Sequence, residues 1–137
     1  MPTVIEQAVQ ARLIANAPRS REIPATLRYD RADPFAVRLV FPPAASLDGA
    51  EVAWTFGRDL LEEGLRHSVG TGDVHVWPCG SDGVVVEFHT AGGMALVQFE
   101  AQDLRLFLTR SYALVERGGE ARHLDVDADL ADLLREA

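Results

Sequence analysis

The sequence FAVRLVFPP at residues 35–43 carries the clearest secondary-structure signal of the chain. Its apolar side chains recur at every second position, as they do in a strand with one face in a core. The alternating positions are Phe35, Val37, Leu39 and Phe41. Two prolines follow at once, and proline cannot donate a ladder hydrogen bond. The segment therefore predicts a half-buried β-strand that ends at residue 41.

Other strand-like segments flank this one, at residues 27–29, 51–57, 73–77, 84–89 and 95–100. The later strands are separated by turns rich in glycine, at residues 79–83 and 91–93. Strands that come in runs with short turns, without a helix between each pair, are typical of antiparallel sheets. The sequence thus predicts an α+β fold with antiparallel sheets and two to three helices; these six segments become about seven strands if residues 3–16 add one.

Helical periodicity occurs in three places. Residues 58–67 (RDLLEEGLRH) space their leucines as on one helix face, and Gly70 is predicted to close that helix. Residues 101–115 predict an amphipathic helix. A last helix is predicted after Asp125 or Asp127, where acidic residues near a helix N-terminus are favourable.

The N-terminal residues 3–16 fit two structures. Ile5, Val9 and Leu13 recur at four-residue spacing, which favours a helix. The same residues, together with Ala11, also share one face of a strand. The local pattern leaves both possibilities open.

Length and composition are those of one globular domain spanning residues 1–137. The hydrophobic fraction is 47% and the charged fraction 25%, which argues against disorder. No apolar run approaches the ~18 residues that cross a bilayer, and residues 1–12 do not resemble a signal peptide. The single cysteine, Cys79, precludes an internal disulfide. These features predict a cytoplasmic protein.

Charge is distributed unevenly along the chain. The formal net charge is −8, and all 13 basic residues are arginines. Residues 1–38 have a balance of +2, whereas residues 39–137 have a balance of −10. Because phosphate neutralisation supplies most non-specific nucleic-acid affinity, the chain as a whole should repel a polyanion. Only the N-terminal third of the chain could bind a polyanion.

Residue pairs that could support catalysis do not converge in the predicted elements. His75 and Cys79 would lie on one strand face about 13 Å apart, too far for proton transfer. Residues 70–73 (GTGD) lack the helix start that a phosphate loop needs. Glu62 and Glu63 point about 100° apart on a helix. We therefore expect a protein that is not an enzyme and uses no cofactor.

The histidines give no recognisable metal-ligand spacing. They stand at positions 67, 75, 89 and 123, and none is paired with a cysteine or carboxylate at a typical helical or knuckle offset. A hairpin could bring His75 and His89 together, but two ligands do not make a zinc site. No metal site is predicted.

Two longer blocks resemble a known family. Residues 27–37 (LRYDRADPFAV) and 56–78 (FGRDLLEEGLRHSVGTGDVHVWP) are similar to blocks of the SsgA/SsgB-like sporulation and cell-division family of actinobacteria. The similarity continues through residues 104–108 into the acidic C-terminal segment. It departs from the family pattern at Gly57, at residues 68–69 and at Cys79, all of which are predicted turns.

The resemblance implies both a fold and a role. It implies a whirly-like architecture of two antiparallel sheets with helices, makes residues 3–16 a strand, and allows a homo-oligomer, possibly a trimer. It also implies a non-enzymatic adaptor in sporulation-specific septation. Such an adaptor would be recruited to the division septum, where it would help recruit or position the division GTPase FtsZ, or bind a family paralogue.

Partner-binding residues are expected on the first helix, at Arg58, Glu62, Glu63 and Arg66. The exposed face of the C-terminal helix is a second candidate surface. The alternative function is single-stranded nucleic-acid binding by a whirly-like fold. That alternative requires the N-terminal arginines to converge on one face, and the acidic remainder of the chain opposes it.

Overall fold

The computed structural model describes residues 3–14, 21–43, 50–90 and 93–123. These residues form eight β-strands, two α-helices and a short 3-10 helix. In chain order the elements are β1 (Val4–Leu13), β2 (Arg21–Asp30), β3 (Ala36–Phe41), β4 (Val52–Gly57), α1 (Arg58–Gly64), β5 (Val69–Thr71), β6 (Val74–Cys79), β7 (Gly83–Thr90), β8 (Gly93–Glu100), α2 (Ala101–Leu114) and the 3-10 helix Glu120–His123. The predicted α+β class is confirmed.

All eight strands belong to one antiparallel sheet, in the order β4-β3-β2-β1-β8-β7-β6-β5. The first four strands form one half of the sheet and the last four form the other. β1 pairs with β2 along its full 10 residues. It pairs with β8 only where Ala11, Arg12 and Leu13 face Phe99, Gln98 and Val97. We call this short β1–β8 pairing the seam.

The sheet curls so that its two halves face each other. Phe88 of β7 lies 4.7 Å from Trp54 of β4, measured between ring centroids. The rings of Phe41 and Phe56 each lie 6.4 Å from that of Phe88. Aromatic rings at these separations attract one another beyond the burial of their area. Phe88 therefore joins strands that are not hydrogen-bonded to each other.

The hydrophobic core lies inside this curl. Alternate side chains of the strands point into it, as the period of 2 requires, and Leu104, Phe107 and Leu108 of α2 enter the same cluster. Val37 and Leu39, which come from the strand predicted at residues 35–41, are 0% exposed. The alternation thus identified the buried face of β3, but Phe35, predicted on the same face, precedes the strand and is 50% exposed.

Residues 4–13 are a strand, as the resemblance implied. Tertiary pairing decides the matter, because every residue of β1 has a partner in β2. β2 is longer than the predicted 27–29, even though it contains Pro24. β3 pairs only with residues 26–28 of β2, so Pro24 lies beyond that pairing. On that side of β2 the missing N–H of proline takes no ladder hydrogen bond away.

Two further predictions need correction. The helix predicted for residues 58–67 ends at Gly64, and Gly70 lies in β5 instead of closing the helix. The backbone N–H of Leu65 donates to the carbonyl oxygen of Glu62, and that of Arg66 to the carbonyl oxygen of Glu63, so the chain turns tightly after the helix. β5 was not predicted, because three residues are too few to show alternation. The C-terminal helix predicted after Asp125 or Asp127 falls outside the described residues.

Candidate functional site

Arg58 is the first residue of α1 and is turned into the protein. β4 ends at Gly57, and the backbone N–H of Arg58 donates to the carbonyl oxygen of Phe35 at 2.8 Å. The side chain is 1% exposed. Burying a charge at this depth is costly unless hydrogen bonds and an opposite charge compensate it. The surroundings of Arg58 supply both.

The guanidinium of Arg58 ties α1 to the end of α2. Its Nη1 donates to the carbonyl oxygens of Val115 at 2.8 Å and Ser111 at 3.2 Å, which lie where α2 ends. Its Nη2 donates to the Glu120 carboxylate at 2.8 Å. The hydrogen bond from Arg58 is the main cause of a lowered pKa for Glu120. Glu120 is therefore ionised at neutral pH.

Two tyrosine rings enclose the same guanidinium. The guanidinium carbon of Arg58 lies 4.8 Å from the Tyr29 ring centroid and 4.4 Å from that of Tyr112. The Tyr29 hydroxyl donates to the carbonyl oxygen of Pro34 at 2.8 Å. Burial raises the pKa of Tyr29 to about 12. The two sequence blocks at residues 27–37 and 56–78 thus meet at Arg58.

The predicted partner-binding residues differ in what they offer to solvent. Glu63 and Arg66 are exposed, and so is Asp59, which was not among the predicted partner-binding residues. Glu62 is partly buried and accepts hydrogen bonds from Tyr112 and Arg117. We call these four residues of and after α1 the α1 surface. The expected exposed position of Arg58 needs correction. Its side chain does not lie on an exposed face of the helix but beneath that face, where it holds the α1 surface in place.

The family assignment follows from comparison of this chain with known proteins. The sequence model of the SsgA family, described as Streptomyces sporulation and cell division protein, matches residues 23–120. The matched region contains both sequence blocks and every residue that contacts the Arg58 guanidinium. The chain belongs to the SsgA family.

Relatives support this assignment along the whole chain. It is 41% identical to the sporulation-specific cell division protein SsgB of Streptomyces coelicolor, with 100% of both chains covered. It is 42% identical to SsgB of Salinispora tropica, with 97% of this chain and 94% of that protein covered. The predicted resemblance is confirmed, and with it a role in sporulation cell division.

Solved structures of the SsgA family share the fold. A structure of SsgB, from work relating its mutations to longitudinal cell division during sporulation of Streptomyces coelicolor, matches with a TM-score of 0.81 and 40% identity over 89% of this chain and 96% of that one. An SsgA-like sporulation-specific cell division protein from Thermobifida fusca matches with a TM-score of 0.83 and 33% identity, covering 95% of both chains. No helix among the described residues of this SsgA-family chain is long and apolar enough to cross a membrane.

Cys79 does not meet a histidine. It is exposed at the end of β6, and it lines a cleft together with Asp82, Glu22 and Glu100. His75 lies on the same strand four residues earlier and is not among the residues that line this cleft. The carboxylates are present, but no histidine is among the described residues that line this cleft.

Gly70 and Thr71 lie in β5, and residues 72–73 form the predicted tight turn. They run from the end of β5 into β6, and Gly72 has a φ of 61°, a left-handed conformation that favours glycine. No helix begins there. The N–H geometry that would hold a phosphate is therefore not provided by these glycines.

Three N-terminal arginines share the outward face of the sheet, but two of them are paired with acids. Arg28 lies opposite Arg38 in the β2–β3 register. Arg28 makes a 3.2 Å ion pair with Glu6, and Arg12 a 3.8 Å pair with Glu22. Arg19 lies outside the described residues. The observed face is thus close to neutral and does not favour nucleic-acid binding.

The histidine pair did form across a hairpin. The ring centroids of His75 on β6 and His89 on β7 lie 5.4 Å apart. Glu87, which was not predicted, stands directly opposite His75. The signal that identifies it is the β6–β7 register, which the short turn at residues 80–82 fixes.

Proposed function

We propose that the protein acts as a non-enzymatic adaptor in sporulation-specific cell division, where it recruits or positions the division GTPase FtsZ and the septum machinery through protein contacts. The observation that carries this proposal is the match over the full chain to proteins named sporulation-specific cell division protein SsgB. A cytoplasmic protein that is recruited to the division septum fits this role.

The α1 surface is the proposed contact region. Asp59, Glu63 and Arg66 place charges of both signs on neighbouring turns. Asp59 and Glu63 stand on α1, and Arg66 follows it. The buried Arg58 fixes α1 to α2, and the Glu62 contacts hold α1 from the side. A rigid charged surface loses little side-chain and backbone freedom when a partner binds. Charges arranged in this way also discriminate between partners.

A charge exchange tests this surface. In the double variant Glu63→Lys/Arg66→Glu the net charge is unchanged while the local pattern is reversed, so partner affinity should fall and folding should not. The matched control is Glu6→Arg/Arg28→Glu, which exchanges an exposed ion pair on the β1–β2 face. Septal localisation in sporulating cells and co-purification with FtsZ are measured for both.

We expect the α1 exchange to abolish septal localisation and the control exchange to leave it intact. Retained localisation in the α1 variant would show that another surface binds the partner. A wild-type protein spread evenly through the cytoplasm during septation would contradict the adaptor function itself. The two failures are therefore distinguishable.

The absence of catalysis is part of the same proposal. It is supported by the cleft beside Cys79, where carboxylates occur without a histidine among the described lining residues. Cys79→Ser should leave septation unchanged, because in this proposal the Cys79 thiol takes no part in catalysis. Loss of septation in this variant, with the fold intact by circular dichroism, would count against the proposal.

A homo-oligomer, such as a trimer, remains a prediction. Leu106 is 54% exposed on α2 and offers an apolar side chain that a second copy could cover. If α2 takes part in self-association, Leu106→Glu should lower the mass measured by light scattering. An unchanged mass would exclude this face of α2 as the interface.

A further inference from the structure

Three side chains that can ligate a metal project from the outward face of the β6–β7 hairpin. His75 is the direct cross-strand partner of Glu87. His89 follows Glu87 by two residues, so it lies on the same face of β7. One ligand atom from each side chain lies within 4.8 Å of the other two.

Distances within the group show that the side chains already converge. His89 Nε2 lies 3.0 Å from Glu87 Oε2. The side chain of Glu87 is only 18% exposed and that of His89 is 43% exposed, so the group is open to solvent from one side. An entering ion would thus meet a carboxylate that is largely withdrawn from water.

The backbone under these side chains is held in place. β7 is paired with β6 on one side and with β8 on the other. The backbone N–H of His89 also donates to the carbonyl oxygen of Asp73 at 2.8 Å. Ligands on paired strands keep their spacing better than ligands on loops. The site therefore needs only side-chain rotation to adjust to an ion.

Gly70 shapes the position of the His75 imidazole. It stands opposite His75 in the β5–β6 register. A Cβ atom added at Gly70 would lie 2.3 Å from Nδ1 of His75 and 2.7 Å from its Cε1. The imidazole thus occupies the space that any larger residue at position 70 would need.

We propose that His75, Glu87 and His89 form a binding site for Zn²⁺. Two imidazoles and one carboxylate are the ligand types that zinc accepts, and three protein ligands leave the fourth position to water. Ligand atoms about 2.1 Å from a tetrahedral zinc stand roughly 3.4 Å apart. The observed limit of 4.8 Å is close enough for the three to close around the ion. The bound ion would link β6 to β7 on the outward face.

This inference does not depend on the septation role, and its test needs only the purified chain. Tag-free full-length protein treated with EDTA is titrated with ZnCl₂ in a calorimeter. We expect one Zn²⁺ per chain. His75→Ala, His89→Ala and Glu87→Gln should each weaken binding by at least ~10-fold, because each removes one of three ligands.

Two additional variants sharpen the test. His67→Ala removes an exposed histidine outside the group and should leave zinc affinity unchanged. Gly70→Ala keeps all three ligands but displaces the His75 imidazole, so it should weaken zinc binding as well. Circular dichroism and thermal unfolding without metal verify that each variant is folded. With zinc added, Tm should rise for the wild type and for His67→Ala.

Three results would overturn the proposal. The first is an absence of stoichiometric zinc binding by the wild type. The second is wild-type affinity in folded His75→Ala and His89→Ala. The third is an equal loss of affinity in His67→Ala, which would mean that zinc binds to scattered surface histidines.

Discussion

Arg58 carries a positive charge into a space where it is 1% exposed, so its stability depends on the groups around it. Within the described residues its Nε finds no hydrogen-bond partner, while both Nη atoms are engaged. The rings of Tyr29 and Tyr112 also lie against the guanidinium. Only the planar fork of arginine serves both kinds of contact at once, and the compact ammonium of lysine does not.

Replacement of Arg58 should therefore be strongly destabilising. Arg58→Met leaves the Glu120 carboxylate buried without its partner, which costs about 3–5 kcal/mol of unfolding free energy. Arg58→Lys keeps the charge but should still lose stability, because it cannot reach Val115, Ser111 and Glu120 together. Urea unfolding measures both. The double variant Arg58→Met/Glu120→Gln should be more stable than Arg58→Met alone, and a further loss would contradict the buried-pair explanation.

Glu120 predicts the pH dependence of stability. Its pKa in the folded protein lies below the ordinary value of 4.5, chiefly because Arg58 donates to it. A carboxyl group with a lowered folded pKa stabilises the protein fully above its unfolded pKa. That stabilisation is lost as the pH falls through the folded pKa. Unfolding free energies of wild type and Glu120→Gln should thus differ most at neutral pH and converge in acid.

The control for this pH experiment is Glu51→Gln, which changes an exposed carboxyl group just before β4. Its unfolding free energy should follow the wild type at every pH. A constant difference between wild type and Glu120→Gln across the acid range would contradict the assignment to Glu120.

At the scale of elements, the position of α1 depends on how closely it approaches the sheet. Gly64, the last residue of α1, is buried against Val76 of β6. A Cβ atom at Gly64 would stand 2.1 Å from Cγ1 of Val76. The absence of a side chain is what lets the helix lie on the strand, even though glycine is a poor helix former.

Gly64→Ala and Gly57→Ala form a matched pair. Gly64→Ala should lower the free energy of unfolding by about 1–3 kcal/mol, because an inserted methyl must push α1 away from β6. At Gly57 an added Cβ meets only ordinary contacts at 3.8 Å, and φ is −69°. Gly57→Ala should be neutral or stabilise by up to about 1 kcal/mol. Denaturant midpoints measure both, and equal effects would contradict the close approach of α1.

The elements also show what a sequence can and cannot predict. Alternation located β3 and β4 within a few residues, and the glycine-rich turns delimited β7 and β8. Alternation could not settle β1, whose apolar spacing fits two structures until β2 pairs with it. The buried role of Arg58 was missed for a related reason. An arginine at a helix start normally faces water, and only tertiary packing places tyrosine rings and Glu120 around it.

At the scale of the whole molecule, the two halves of the sheet meet at the seam and around Phe88. Phe88 is 1% exposed and touches aromatic rings of both β3 and β4. The seam adds pairing over only three residues of each strand. Packing inside the curl therefore contributes much of the cohesion between the halves.

Phe88→Ala should accordingly cost about 3–5 kcal/mol of unfolding free energy, through lost burial and the cavity left behind. Phe35 is 50% exposed, and Phe35→Ala should change stability by no more than about 0.5 kcal/mol. Both are measured by urea unfolding monitored by tryptophan fluorescence, since Trp54 lies against Phe88. Similar losses in the two variants would contradict the role given to Phe88.

The position of the seam has a consequence for synthesis on the ribosome. β1–β4 are consecutive in the chain, and so are β5–β8, so each half is built from hairpin pairings that are local in sequence. β1, by contrast, must wait for residues 97–99 before its second neighbour exists. Local contacts form sooner than distant ones, because loop closure costs entropy. The nascent chain therefore carries one open edge of β1 until most of the protein has been translated.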